Sequence, residues 1–224
     1  SRQLSDGLEG ASSVNVISGF GIFDLFVMRG FDSLTNGLVM IDGVREPEST
    51  FLPAYNIERL EILRGPGGFV SGPDAAASTV NVLRKLPLGR SFAAGGARVG
   101  SYNSFDVDGD LGVASEDATL SGRLPLFVRG SDGYRARENS QWGFNPGVRI
   151  ARPSGFVAVV NYEHLRSEFI PDIGLPLLNG AVPDVPRENN YQTPFDFSEQ
   201  DVDRVRVHLE KKVGDRTTVK NLSY

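Results

Sequence analysis

The chain has 224 residues, with 26 glycines, 13 prolines, no cysteine and a net charge of −5. That length supports one or two domains with their own cores, and the acidic balance argues against nucleic acid as a partner, since phosphate contacts need clustered Lys and Arg. Without cysteine there is no disulfide framework and no thiolate metal site, and no apolar run reaches the length of a membrane-crossing helix, although barrel strands of about ten alternating residues are not excluded by this.

The chain opens at Ser1-Arg2-Gln3-Leu4-Ser5 with no basic-then-apolar leader. Between Ser5 and Leu25 the apolar residues Val14, Val16, Ile17, Phe20, Ile22 and Phe23 keep no clean period, and the reading is a loose helix followed by a short strand. Leu38-Val39-Met40-Ile41 before Asp42-Gly43 is a buried-strand run ending in a turn dipeptide. Pro47 to Pro53 reads as a loop with Phe51 and Leu52 at its tip. Then Ile57, Leu60 and Ile62 interleave with Glu58, Arg59 and Glu61. The chain breaks at Arg64-Gly65-Pro66-Gly67-Gly68 and again at Gly72-Pro73, and resumes as Thr79-Val80-Asn81-Val82. This pattern alone is a small α+β unit.

The residues themselves say more. Ile57 to Lys85, IERLEILRGPGGFVSGPDAAASTVNVLRK, resembles the plug-domain signature of TonB-dependent outer-membrane receptors, of the form "IERIEVLRGP…YG…GGxINxxTK". Met28-Arg29-Gly30-Phe31-Asp32 resembles that family's "IRGFD", Met40 to Arg45 its "VDGVR", and Leu4-Ser5-Asp6-Gly7-Leu8 the start of its "LSDALRNVPGV" helix. The motifs stand in the family's order and at its spacing. Two positions depart from it: Ser71 where "YG" is usual, and Ala77-Ser78 where paired glycines are usual. The resemblance implies a chain that begins partway into a plug, with a signal peptide and a TonB-contacting segment ahead of Ser1. It also implies that the 47–53 loop floors an outward-opening cavity, which makes Arg29, Arg45, Phe51 and Tyr55 candidate ligand contacts. A cationic head and an aromatic face suit an anionic, often aromatic, iron chelate. The alternative for each is local: ion pairs for the arginines, plain packing for the rings. Glu58, Arg59, Glu61 and Arg64 read either as local ion pairs or as a hydrated seam against the barrel wall.

After Leu86-Pro87-Leu88-Gly89 the texture changes to period two. Phe105, Val107, Gly109, Leu111 and Val113 alternate with Asp106, Asp108, Asp110 and Gly112; Leu120, Leu124, Leu126 and Val128 with Ser121, Arg123 and Arg129. Phe156, Ala158, Val160 and Tyr162 share a face, and Val205, Val207 and Leu209 oppose Arg204, Arg206 and His208. Such alternation means antiparallel strands with one apolar face, which in water packs into a sandwich core and in a membrane faces lipid. Alternation does not separate the two; the plug resemblance upstream favours the membrane. Residues 130–140 read as a polar loop. Residues 169–201 form one too long for a tight hairpin and similar to siderophore-type members of the family, with Phe169, Tyr191, Phe195 and Phe197 as further rings for substrate.

Catalytic readings find no support. His164 and His208 stand on strands with no cysteine near, and no GxSxG elbow or dinucleotide fingerprint is present. Asp106-x-Asp108-x-Asp110 echoes a calcium loop but has Leu111 where glycine is required, and strand alternation explains it better. No catalytic residue, metal or cofactor is assigned. The expectation is an α+β plug domain over residues 1–86, followed over 87–224 by antiparallel transmembrane β-barrel strands. A plugged barrel has about 22 strands, and this stretch supplies roughly seven, so the barrel is incomplete. The partners implied are a ferric siderophore, TonB and outer-membrane lipid. The competing readings are a signal-transducing receptor of the same build and a soluble β-rich binding module.

Overall fold

The computed structural model describes residues 3–19, 23–33, 38–45, 52–64, 78–172, 174–193, 195–214 and 216–224. The chain divides into two compact units, Ser1–Lys85 and Leu86–Tyr224.

The first unit opens with a five-residue helix, α1 (Leu4–Leu8), whose Leu4 and Leu8 are buried. Residues 5–25, expected as a loose helix followed by a short strand, do begin in this helix and continue into β1 (Val14–Gly19), but a second strand, β2 (Phe23–Met28), pairs antiparallel with β1 and is extended by β3 (Phe31–Asp32). The hairpin is hard to read because Ile17, an apolar residue, occupies an exposed position and spoils the alternation. A second sheet runs in the order β5 (Val44–Arg45), β4 (Val39–Ile41), β7 (Ser78–Arg84), β6 (Ile57–Arg64), with β4 parallel to β7 and the other pairs antiparallel. Leu4, Leu8, Phe26, Met28, Ile41, Val80 and Val82 close one core between helix and sheets, each large side chain contributing about 1.5–3 kcal/mol by leaving water.

Two polar residues staple this core. Asp24, 2% exposed, accepts the Ser5 amide on Oδ1 at 3.1 Å and the Leu52 amide on Oδ2 at 2.7 Å, while the Leu4 amide donates to the Leu52 carbonyl at 3.0 Å. One carboxylate thus joins α1, β2 and the segment at Leu52. Asn81 on β7 accepts the Gly43 amide at 2.9 Å and donates to Glu61 Oε2 at 3.1 Å. The motif positions at Asp42-Gly43, Glu61 and Asn81 therefore meet at a single side chain. Of the charges on β6, Arg59 pairs with Glu61 at 2.6 Å, the local arrangement. The glycine-rich stretch with Ser71 and Ala77 lies outside the described residues.

The second unit is one antiparallel sheet: β8 (Phe92–Val99), β9 (Phe105–Ala114), β10 (Leu120–Ser131), β11 (Asn139–Phe144), β12 (Gly147–Arg152), β13 (Phe156–Phe169), β14 (Ser198–Val213) and β15 (Thr217–Ser223). β11 and β12 both lie between β10 and β13, so eight strands fill seven positions. The interruption falls at Asn145-Pro146, since proline has no N–H for a ladder. The polypeptide instead pairs Asn145 N with Pro125 O and Tyr162 N with Pro146 O.

The two faces of this sheet are inverted relative to a water-soluble sandwich. Val107, Leu111, Val113, Leu120, Val128, Ile150, Val160, Val205 and Leu209 are exposed, Val113 by 65%, while Asp106, Asp110, Arg123, Arg129, Gln141, Glu163, Ser167 and Arg206 are buried. The soluble-module reading needed apolar faces turned toward each other, and the sheet does the opposite. One end carries the turns at 115–119, 153–155 and 214–216; the other carries 100–104, 132–138 and 170–197. Barrels of the outer membrane keep short turns on the periplasmic side and long loops outside, with an apolar band about 25 Å tall between aromatic girdles. Trp142, Phe144, Tyr162 and His164 supply such a girdle, with ring centroids 4.8–6.2 Å apart.

Two outcomes follow from this packing. Val160→Arg, on the apolar face of β13, is expected to cost about 2–4 kcal/mol of folding free energy in lipid, measured by urea titration of the protein refolded into vesicles. For Asp24, burial raises the carboxyl above its ordinary 3.8, against the opposing pull of the Leu52 and Ser5 amides. The folded protein then holds this proton at a pH where the unfolded chain has lost it, so this group's share of stability is greatest below pH 3.8 and falls as pH rises through the folded-state pKa. Asp24→Asn is expected to flatten that part of the pH profile and to lose one of the two amide bonds, seen as faster hydrogen exchange at Ser5 or Leu52.

Candidate functional site

Arg29 and Arg45 sit at two hairpins built alike. Met28 pairs with Phe31 and Ile41 with Val44, leaving two-residue turns at Arg29-Gly30 and Asp42-Gly43. All four turn residues have positive φ (51°, 87°, 52° and 84°), the conformation that matches the twist of the flanking strands. Only glycine takes such values at no cost, which explains Gly30 and Gly43. Asp42 tolerates it because its side chain is held: Oδ1 accepts the Arg84 amide at 2.9 Å. Arg29 is carried in the turn itself and Arg45 just after one, and both are exposed. Tyr55 lies in a 3-10 turn, Ala54–Asn56, and is only 8% exposed. Phe51 lies outside the described residues. The sequence thus placed two cations on accessible turns and one ring in a packed position.

The loop end of the second unit holds a cluster that sequence reasoning missed. Arg135 Nη1 reaches Asp172 at 3.1 Å and its Nε donates to the Arg187 carbonyl at 2.5 Å; Arg137 pairs with the same Asp172 and donates to the Pro171 carbonyl. Asn190 donates to the Arg135 carbonyl at 3.2 Å and Gln192 to the Pro171 carbonyl. Tyr134 donates to Glu188 at 3.1 Å and meets Tyr102 edge-on at 5.8 Å; burial and the Glu188 carboxylate push its phenol up. The 170–197 loop is therefore tied to the 132–138 loop by guanidinium groups. The signal in the sequence was the Arg135-x-Arg137 pair, but its partner Asp172 stands too far along the chain to be inferred. Of the rings named from sequence, Tyr191, Phe195 and Phe197 are exposed and Phe169 is half-buried.

A cleft of about 550 Å³ also opens at this end, lined by Phe105, Gly130, Asp132, Ser140, Glu168, Phe169 and Glu199 among others. Its carboxylates repel an anion. Asp106, Asp108 and Asp110, spaced like calcium ligands, are arginine acceptors instead: Arg98 Nη1 lies 3.2 Å from Asp106 and 3.1 Å from Asp108, and Arg123 grips Asp110 with two bonds. Among the described residues no group of three or more His, Asp or Glu side chains is arranged to hold a metal ion. His164 faces Asp203 at 2.9 Å, and Asp203 also accepts the Tyr162 hydroxyl at 2.5 Å.

Residues 1–79 match the TonB-dependent Receptor Plug Domain family. The chain is 26% identical over 217 residues to the catecholate siderophore receptor Fiu of Escherichia coli K12, which covers 88% of this chain and 28% of Fiu. The crystal structure of Fiu in its open form superposes with a TM-score of 0.86 at 25% identity, over 99% of this chain and 35% of that one. A ferric-pyoverdine BN7/BN8 receptor of Pseudomonas putida is 30% identical over 189 residues, 79% of this chain and 22% of its own length. A vitamin B12 transporter, BtuB of Photobacterium profundum, is 32% identical over 149 residues, 61% of this chain and 24% of its own. The chain thus spans less than a third of the curated relatives it matches. With the inverted sheet following that plug match, residues 1–79 belong to the TonB-dependent receptor plug domain family, and the chain has the build of the outer-membrane receptors it is similar to, a plug succeeded by antiparallel strands of an incomplete β-barrel.

Proposed function

We propose that the receptor takes up a ferric siderophore across the outer membrane, driven by TonB, with residues 1–86 acting as plug and 87–224 as the first part of the barrel wall. The observation that carries this reading is the alignment of 88% of the chain with a catecholate siderophore receptor. The mechanism is binding followed by rearrangement of the plug, with no covalent chemistry. Ferric catecholates are anions, and the turns at Arg29-Gly30 and Asp42-Gly43 hold Arg29 and Arg45 where a guanidinium can pair with such oxygens. Phe51 and Tyr55 complete the proposed contact set, Tyr55 only once the segment at Leu52–Asn56 shifts, given its burial.

The test is uptake of iron-55 by cells that carry this receptor and lack their own. Ferric catecholate is expected to be imported in a TonB-dependent manner, and Arg29→Ala or Arg45→Ala to lower uptake about tenfold at subsaturating chelate, the loss of one charge-assisted hydrogen bond of about 1.5 kcal/mol. Import of cyanocobalamin with no ferric chelate taken up would overturn the reading in favour of a B12 transporter.

A further inference from the structure

The lipid-facing side of the second unit changes chemistry at its turn end. Leu120, Ile150, Ala158 and Leu209 lie in one cross-strand row of that side. The next row toward the turns is Arg152, Phe156, Lys211 and Val219. Two residues of strand advance about 7 Å, so two cations flank an aromatic ring one step past an aliphatic row, at the depth where an apolar band gives way to headgroups. Arg152 and Lys211 are separated by the single strand β13, about 10 Å from backbone to backbone. Two such long side chains can close that span on one phosphate, their stems lying on apolar surface and their charges in the headgroup layer.

Neither cation is spent on a carboxylate. Arg152 has no ion pair among the described residues, and Lys211 Nζ donates to the Ser154 carbonyl at 2.7 Å. That bond draws the ammonium toward the 153–155 turn, and so toward Arg152, and leaves two of its three N–H donors open. Arg152 also borders a cleft of about 630 Å³ shared with Leu88, Asp117, Arg149 and Pro153. Arg149 is likewise unpaired among the described residues, while Asp117 is occupied by the Ser115 hydroxyl at 2.7 Å and by the Thr119 amide and hydroxyl at 3.1 and 2.9 Å.

The loop end of the same side has the opposite sign. There Glu168, Glu199 and Asp201 close on Arg166 at 2.5–3.1 Å, and Asp203 faces Tyr162 and His164. Four carboxylates around one guanidinium repel a phosphate. The attraction is confined to the turn end, the periplasmic side of an outer-membrane barrel.

We propose that Arg152 and Lys211, with Arg149 in the adjoining cleft, form a rim that binds the headgroup phosphate of an anionic phospholipid in the periplasmic leaflet. The occupant follows from continuity with the lipid-facing band and from charge, since each Lys or Arg at the surface of an anionic bilayer adds attraction. This goes beyond the uptake reading and is independent of the cargo: the rim stands whether the protein imports a ferric chelate or cobalamin.

The test is native mass spectrometry of the intact protein in detergent, titrated with dioleoyl phosphatidylglycerol or with dioleoyl phosphatidylcholine, which carries a phosphate but no net charge. Phosphatidylglycerol is expected to bind the more tightly. Arg152→Gln or Lys211→Gln weakens it about fivefold and the double variant about 25-fold, while Arg166→Gln at the loop end leaves it unchanged and Arg152→Lys keeps most of the affinity. Equal affinity for the two lipids, or for wild type and double variant, would overturn the rim. Lipid loss accompanied by a lower urea midpoint would do the same, by marking the pair as part of the fold. Full displacement of the lipid by millimolar glycerol phosphate would also end it, because the site would then belong to a soluble phosphate.

Discussion

A sheet that shows its aliphatic side chains to the surroundings and buries its arginines and aspartates is stable only where the surroundings are not water. In hydrocarbon the backbone has no solvent to bond to, so every N–H and C=O must be satisfied within the protein. Continuous antiparallel ladders do this between neighbouring strands from β8 to β15, whose outer edges the incomplete barrel leaves open, and the break at Asn145-Pro146 is bridged by neighbouring carbonyls and amides. With the backbone satisfied internally, the outward choice of Val, Leu and Ile follows, and so does the need to turn each charge to the other face.

On that covered face charges survive by pairing. The acidic residues at every second position of β9 are matched across the sheet: Arg98 serves Asp106 and Asp108, and Arg123 takes both oxygens of Asp110. Glu163 and Arg204 form a further pair across β13 and β14. Arg98 is 56% exposed and its pairs are partly screened by solvent, whereas removing one partner of the buried Arg123–Asp110 pair costs about 3–5 kcal/mol, more than the pair contributes over a well-packed apolar substitute. The ladder is thus better explained by the need for a polar wall than by stability. The first unit solves its own version with neutral donors: Asp24 is held by two amides and Asn81 joins Gly43 to Glu61, so an apolar core still carries polar staples between segments remote in sequence.

How much of this was legible depended on whether a partner lay nearby in the chain. Period-two alternation from Phe105 to Val113 and from Leu120 to Val128 was visible because a strand advertises its own faces. The plug motifs were visible because Asp42-Gly43 and Thr79-Val80-Asn81-Val82 are local turn and strand chemistry. The hairpin of β1 and β2 was hidden by Ile17, whose side chain is exposed against the pattern. Asp24 is visible as the one acid in the apolar run Phe23 to Met28, but nothing local says that Leu52 completes it. The loop arginines were read as polar filler for the same reason, since Asp172 and Arg187 meet them only after β11, β12 and β13 have been laid down.

The placement of cations then bears on the cargo. Exposed arginines such as Arg59 and Arg98 lie beside carboxylates, Glu61 for the first and Asp106 and Asp108 for the second. Arg29 is set in a turn whose positive φ is uncomfortable for any side chain, a strain of about 1–3 kcal/mol that turn geometry alone would remove by using Asn or Gly. Arg137 is buried with three of its five donors without a partner among the described residues, a cost that a shorter or neutral side chain would avoid. The cleft beside Glu168 and Glu199 is lined by carboxylates that repel an anion, so the path of an anionic ligand belongs with the arginines rather than with that cleft.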